Sequence, residues 1–357
     1  MSLSARRVLI GGAASAAALG AVTGTTVWRS ATRSRGDRRR RNARSEDFTA
    51  MYRDRRSVVR SDDGTPLVVR EVGPDDAPVT AVFVHGFCLE SRSWHFQRRD
   101  LEERWGSDVR MVFYDQRGHG ASGMPEKSSC TIGQLGEDLA AVVRAKAVTG
   151  PLVLVGHSMG GMSILAFARR YPIIVSTRVA GVGLVSTTAA GLAESGVARN
   201  LQNPVVDAFR FAVRTSPELI QSMRAMVRAL IKPVLRAASF GTDVSPAVYR
   251  FSASMLDATS VVTVVNFLRT LELHDESTAL PVLAHTPAVV ICGDDDMVIP
   301  FGSSRELAEG LPGSELVRVP GAGHLVQLEF PDVVTDAVDR LMRRVRPTNE
   351  EGRRDVG

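Results

Sequence analysis

Cysteine is scarce in this chain of 357 residues: Cys88, Cys130 and Cys292 stand far apart. An odd number without metal-ligand spacing excludes a closed disulfide framework and gives no zinc site, leaving buried structural thiols. Cys88 lies beside a motif and is expected to line a pocket without reacting. Acidic residues are nearly absent from the first 44 positions, which hold ten arginines and the single acid Asp37. That leaves 34 of the 44 basic and 38 of the 39 acidic residues to the rest of the chain, a net of −4, so the formal +5 of the whole belongs to a tail. A mildly acidic body excludes the basic face that nucleic-acid binding requires, and no such partner is expected. Internal repeats are also lacking.

Val8 to Trp28 carries no charge over 21 residues, which as a helix spans about 31 Å at ~1.5 Å per residue. Its apolar content is thin, because Gly, Ala, Ser and Thr dominate. Three readings compete. As a membrane anchor, its following arginines (Arg29, Arg33, Arg35, Arg38 to Arg41, Arg44) outnumber Arg6 and Arg7 and would hold the body on the cytoplasmic side. As an export signal, Ser4 to Ile10 loosely resembles a twin-arginine signal and Ala16-Ala17-Ala18 a cleavage site. The third reading is a leader with no membrane role. Membrane contact through residues 8–28 is the expectation, with the side left open.

Beyond a charged linker that ends near residue 47, Asp62-Asp63-Gly64-Thr65 between two alternating runs predicts a hairpin. Thr80 to Val84, Val109 to Tyr114, Leu152 to Val155, Val179 to Val185, Ala288 to Cys292 and Glu315 to Val319 read as strands, most of them too apolar for a surface. Helical spacing falls between them at Trp94 to Arg104, after Thr131, after Met162, at Ser304 to Gly310 and at Val333 to Val345. Thr131 with Gln134 predicts a capping box. Strand and helix alternate, so the expected fold is α/β, a mostly parallel central sheet with helices on both faces and its strand-end loops along one edge. Residues 188–280 break the alternation. Phe209, Val213, Leu219, Met223, Met226, Val227, Leu230 and Ile231 recur at helical spacings with prolines between, which predicts an inserted helical cap. The domain plan is therefore 1–47 hydrophobic segment and linker, 48–187 first part of the core, 188–280 cap, 281–346 second part of the core, and 347–357 a frayed tail.

One stretch organises the chemistry. In Leu152 to Gly161 an apolar strand becomes a helix through Gly156-His157-Ser158-Met159-Gly160. Glycines two residues either side of Ser158 let strand and helix approach closely and leave the serine on a strained, exposed turn. A serine hydroxyl is a poor nucleophile without a base, and the base needs a carboxylate to fix its tautomer. His324 lies in Pro320-Gly321-Ala322-Gly323-His324 after the last strand. Asp296 lies in Gly293-Asp294-Asp295-Asp296-Met297-Val298-Ile299-Pro300 after the strand before it. All three loops are expected at the same edge. His85, His95, His119, His157, His274 and His285 lack such a position and are read as structural or pocket-lining.

On these motifs the sequence resembles the α/β-hydrolase superfamily, and in particular its capped serine esterases and lipases, over about residues 55–346. His85-Gly86-Phe87 resembles the family's oxyanion loop, Asp115 to Ser122 its loop after the next strand, and Gly156 to Gly160 its nucleophile elbow. The resemblance implies Ser158 as nucleophile, His324 as base and then acid, and Asp296 as orienting carboxylate. Asp296 fits the family's offset from Gly293 and Pro300 better than Asp294 or Asp295. The backbone N–H groups of Phe87 and Met159 are implied as oxyanion donors, and Arg117 as a structural hydrogen-bonder. No metal or organic cofactor is implied. The implied reaction is hydrolysis of a small-molecule ester or lipid, and the Met, Phe, Leu and Val content of the expected cap suggests an apolar acyl group. C–C hydrolysis, thioester or amide cleavage, perhydrolysis, and a non-catalytic membrane-tethered role remain as alternatives.

Overall fold

The computed structural model describes residues 46–192 and 239–345. Residues 8–28, the run from Phe209 to Ile231 and the tail 347–357 lie outside the described residues. Ser245–Val248 belong to a separate compact unit, and the sheet and the site lie in the large one that begins at Phe48.

Among the described residues eight strands form a single sheet: β1 (Arg55–Arg60), β2 (Pro66–Val72), β3 (Val79–Val84), β4 (Val109–Tyr114), β5 (Leu152–His157), β6 (Val179–Val185), β7 (Ala288–Gly293) and β8 (Glu315–Val319). Their order is β1-β2-β4-β3-β5-β6-β7-β8. β2 is antiparallel to both of its neighbours, and all other pairings are parallel. The hairpin expected at Asp62 to Thr65 joins β1 to β2. Gly64 sits there at φ 83°, in the region open to glycine.

Among the described residues the longer helices are α1 (His95–Trp105), α2 (Ile132–Lys146), α3 (Met159–Arg170), α4 (Pro172–Arg178), α5 (Pro246–Ala258), α6 (Val261–Glu272), α7 (Phe301–Glu309) and α8 (Pro331–Val345). α1 and α8 cover one face of the sheet and α2 and α3 the other, which is why β3, β5 and β7 are buried along their whole lengths and read as unbroken apolar runs. Side chains alternate between two cores. Ala81, Phe83, Val153, Val155, Val289 and Ile291 pack with Leu101 and Trp105 of α1 and Leu341 and Met342 of α8. Val82, Val84, Leu152, Leu154, Val182 and Val290 pack with Leu139 and Val142 of α2 and Ile164 and Phe167 of α3. Each Val, Leu, Ile, Phe or Met side chain among them contributes about 1.5–3 kcal/mol by its burial.

Two local expectations change. Thr131 caps α2, its hydroxyl oxygen accepting from the Gln134 N–H at 3.1 Å. The reciprocal half of the capping box is not made, because the Gln134 amide donates to Asp62 at 2.6 Å in the hairpin turn. α7 begins at Phe301, three residues before the expected Ser304, and runs through Gly302. Between β6 and β7 the described residues hold α5 and α6 and an isolated bridge from Ala190 to Asp275. Among the described residues no single helix is long and apolar enough to cross a membrane.

Candidate active site

β5 lies at the centre of the sheet, with the chain's earlier strands on one side and its later ones on the other. Loops leaving the carboxyl ends of parallel strands on either side therefore open a crevice beside it. Ser158 follows directly on β5, at φ 52° and ψ −120°, a conformation that costs a non-glycine residue about 1–3 kcal/mol. The neighbours hold it there. Its N–H donates to Val185 O at 2.9 Å, and its carbonyl accepts from the Thr187 hydroxyl at 2.8 Å. The flanking glycines are required by contact. A Cβ on Gly156 would stand 2.5 Å from Gly160 O, and one on Gly160 would stand 2.2 Å from Val84 O.

The three residues expected to converge do so. His324 Nε2 lies 3.0 Å from Ser158 Oγ, and His324 Nδ1 lies 2.9 Å from Asp296 Oδ2. Asp296 Oδ1 accepts from the N–H groups of Val298 and Ile299, both at 2.9 Å, which fixes the carboxylate from behind. With an ionised Asp296 as acceptor, Nδ1 carries the imidazole proton and Nε2 is left to accept from the serine hydroxyl. Exposure is 7% at Ser158, 5% at Asp296 and 9% at His324, so the chain of hydrogen bonds runs largely out of water. The other two acids of the loop point elsewhere. Asp294 accepts from Gly321 N–H and pairs with Arg318 at 3.2 Å, while Asp295 is exposed.

The loop leaving β3 crosses directly over this turn. A Cβ on Gly86 would lie 2.5 Å from His157 Nδ1 and 3.2 Å from Ser158 Cβ, so only glycine permits the approach. Phe87 follows it. Met159 opens α3, where first-turn amides lack an intrahelical acceptor. Neither the Phe87 N–H nor the Met159 N–H is hydrogen-bonded to another described residue. Both therefore remain able to donate to a charge developing beside Ser158.

Gln116, Ser163 and Thr187 are supports that sequence reasoning missed. Gln116 N–H donates to His85 Nε2 at 2.9 Å, its amide donates to His85 O at 2.6 Å, and its Oε1 accepts from Ser163 Oγ at 2.8 Å. His85 Nδ1–H donates in turn to Gly86 O at 2.7 Å. One network thus ties the Gly86 loop to α3. No periodic or spacing signal marks a lone Gln after a strand or a Ser within a helix; the Asp115 motif was the nearest pointer to Gln116.

The remaining histidines play no part in the contact chain at Ser158 Oγ. Burial holds His85, His157 and His274 below the usual imidazole range and His119 down to about 3. His157 Nε2–H instead donates to His324 O at 2.9 Å. Arg117 is structural, as expected: wholly buried, it pairs with Asp138 and Asp63, each at 2.6 Å. All three cysteines are free and buried, and burial pushes Cys130 up to about 11 and Cys292 up to about 12. Among the described residues no group of His, Cys, Asp and Glu could hold a metal ion.

A mostly parallel eight-stranded sheet, helices on both faces and a serine turn at the end of its central strand together define the α/β-hydrolase fold. The sequence model of the alpha/beta hydrolase family matches residues 81–337, and the chain belongs to that family. Among curated proteins it is similar to the dihydrolipoyllysine-residue acetyltransferase component of the acetoin cleaving system of Pseudomonas putida, 27% identical over 266 residues. That match covers 74% of this chain and 63% of the acetyltransferase, so the chain spans less than two thirds of that relative. It is also similar to a monoacylglycerol lipase of Mycolicibacterium smegmatis, 25% identical over 297 residues, 78% of this chain and 95% of the lipase. Of solved structures, a thermophilic esterase from Thermogutta terrifontis superposes with a TM-score of 0.65 at 26% identity, over 82% of this chain and all of the esterase.

Proposed function

We propose that this protein is a serine hydrolase that cleaves carboxylic esters of apolar acyl groups. The observation that carries the reading is the unbroken chain from Ser158 Oγ to His324 Nε2 at 3.0 Å and from His324 Nδ1 to Asp296 at 2.9 Å. In the proposed cycle Ser158 Oγ attacks the ester carbonyl while its proton passes to His324 Nε2. Asp296 holds the imidazole in the productive tautomer and stabilises the cation. The carbonyl oxygen becomes an oxyanion facing the N–H groups of Phe87 and Met159, each donor worth about 10²–10³ in rate. Collapse expels the alcohol, which takes the proton from Nε2. Water then attacks the acyl-enzyme, with His324 as base, and releases the acid.

An apolar acyl group is supported by what surrounds the turn. Met159 and Met162 of α3, Leu192, Phe267 and Leu271 of α6 and Ile299 form one apolar cluster, with Phe87 and Val298 packed against it. That cluster reaches from the residue after the nucleophile to the acid's loop and to α6. Residues 188–280, as the proposed cap, would then set the chain length accepted. A panel of p-nitrophenyl esters of increasing acyl length, beside a thioester, an amide and a monoacylglycerol, tests this. The expected result is a rate peak at one acyl length; preference for the amide or thioester, or no turnover at all, would contradict it. Membrane association through residues 8–28 is also proposed, on their uncharged composition. Full-length protein in the soluble fraction of disrupted cells would overturn that proposal, and a truncated form released outside the cell would favour the export reading.

A further inference from the structure

Glu329 ends the short helical turn Val326–Glu329 and is 7% exposed. Its carboxylate faces four donors. It accepts from the Gly323 N–H at 2.7 Å, the Gly241 N–H at 3.2 Å, the Thr242 N–H at 2.5 Å and the Thr242 hydroxyl at 2.6 Å. Gly323 immediately precedes His324. On the other side of the histidine, Leu325 N–H donates to Ser239 O at 2.8 Å. Ser239 to Thr242 lies within residues 188–280, the proposed cap, and both peptide neighbours of His324 are tied to it, Leu325 directly and Gly323 through Glu329.

The fastening is close. A Cβ on Gly241 would lie 2.4 Å from Gly321 O, and one on Gly323 would lie 2.5 Å from Gly241 N, so two backbones stack where only glycine allows. Four donors and no acceptor around one buried side chain call for a carboxylate. An amide at the same place would set its own N–H groups against those of the backbone. A buried charge is retained only where such hydrogen bonds satisfy it.

We propose that Glu329 is a positioning residue for His324, clamping the histidine loop to the Ser239–Thr242 segment so that the placement of the base depends on that segment staying docked. The inference rests on the serine-hydrolase reading above. In this arrangement the proposed cap does more than shape a pocket: its Ser239–Thr242 stretch helps hold the imidazole in reach of Ser158 Oγ. A displacement of the segment is then felt as a loss of proton transfer and not of substrate affinity.

The test compares the full-length protein with its E329Q and T242V variants, using a p-nitrophenyl ester and, separately, the rate of covalent labelling by a fluorophosphonate. Because a misplacement of about 1 Å can cost ~10²-fold in rate, E329Q is expected to lower kcat by about 10- to 100-fold with KM moved less than about twofold. T242V removes one of the four donors and is expected to lower kcat by about fivefold, again at constant KM. Labelling rates fall in the same proportion. Circular dichroism melting identifies folded protein, and where E329Q does not fold, T242V carries the test alone. Wild-type rates in the folded variants, or a rise in KM at constant kcat, would overturn the positioning role alone. A wild-type protein that neither turns over ester nor labels would overturn the serine-hydrolase reading, and this inference with it.

Discussion

Replacing Gly160 by Ala adds one methyl group at the point where the Ser158 turn, β3 and the Gly86 loop meet. The new Cβ would stand 2.2 Å from Val84 O, 2.6 Å from Val84 C and 2.7 Å from His85 O. All three atoms are backbone, so no side chain can swing aside. The contact must lengthen by roughly 1 Å to reach an ordinary separation, and the strand end or the turn must yield. Overpacking of this kind costs about 1–3 kcal/mol, offset in part by the ~1 kcal/mol that Ala gains over Gly in a helix. The larger effect is on geometry, because the same displacement changes the spacing between Ser158 and the Phe87 amide. A shift of about 1 Å is worth ~10²-fold in rate. G160A is therefore expected to keep its fold, melt a few degrees lower, and lose about 10²-fold in kcat/KM on its best ester. Gly302 supplies the control: it lies inside α7 with nothing within 4 Å of its Cβ position, so G302A should be fully active and no less stable. A G160A protein with wild-type melting temperature and wild-type kcat/KM would refute the contact argument.

Other perturbations separate the assigned roles. D296N keeps the loop but favours the wrong tautomer of His324 and should lower kcat by about 10⁴-fold, whereas D295N, at an exposed site, should leave ester hydrolysis unchanged. Stability should fall as pH drops below about 6.5, measured by urea midpoints. His85, His119, His157 and His274 are held neutral in the fold by burial, with His119 depressed to about 3, yet would be protonated in the unfolded chain. Their contribution is full above the unfolded value and is lost on the way down to the folded one, at up to about 1.4 kcal/mol per pH unit for each histidine. H119Q should reduce that slope by one proton, and an unchanged slope would contradict the assignment. Below about pH 4.5, Glu71 and Asp63, whose carboxyls are held low by Arg110, Lys146 and Arg117 against the opposing pull of burial, should add to the loss. Finally, a thiol reagent at pH 8 should modify Cys88, Cys130 and Cys292 only after unfolding, because burial raises all three thiols; rapid reaction of folded protein would contradict this.

Much of the site was legible because its parts sit where secondary structure changes abruptly. Buried strands leave apolar runs that end in glycines and polar residues. Ser158, Asp296 and His324 each follow such a run, and chain order then predicts their meeting. What was not legible lies in long-range hydrogen bonds that leave no pattern. Gln116 and Ser163 brace the Gly86 loop across 47 positions of sequence, and Glu329 reaches Thr242 across 87. Neither pairing has a period or a motif. The start of α7 was placed three residues late, and Gly302 lies inside the helix with nothing within 4 Å of its Cβ position. The second half of the capping box failed for a tertiary reason, since Asp62 draws away the Gln134 side chain.

The central claim is that Ser158 is an activated nucleophile. Intact-mass and peptide mass spectrometry after treatment with a fluorophosphonate tests it directly. The account predicts a single adduct on Ser158 in the wild-type protein, none in S158A, and strongly slowed labelling in H324A. An unlabelled wild-type protein, or the same adduct in S158A, would contradict it.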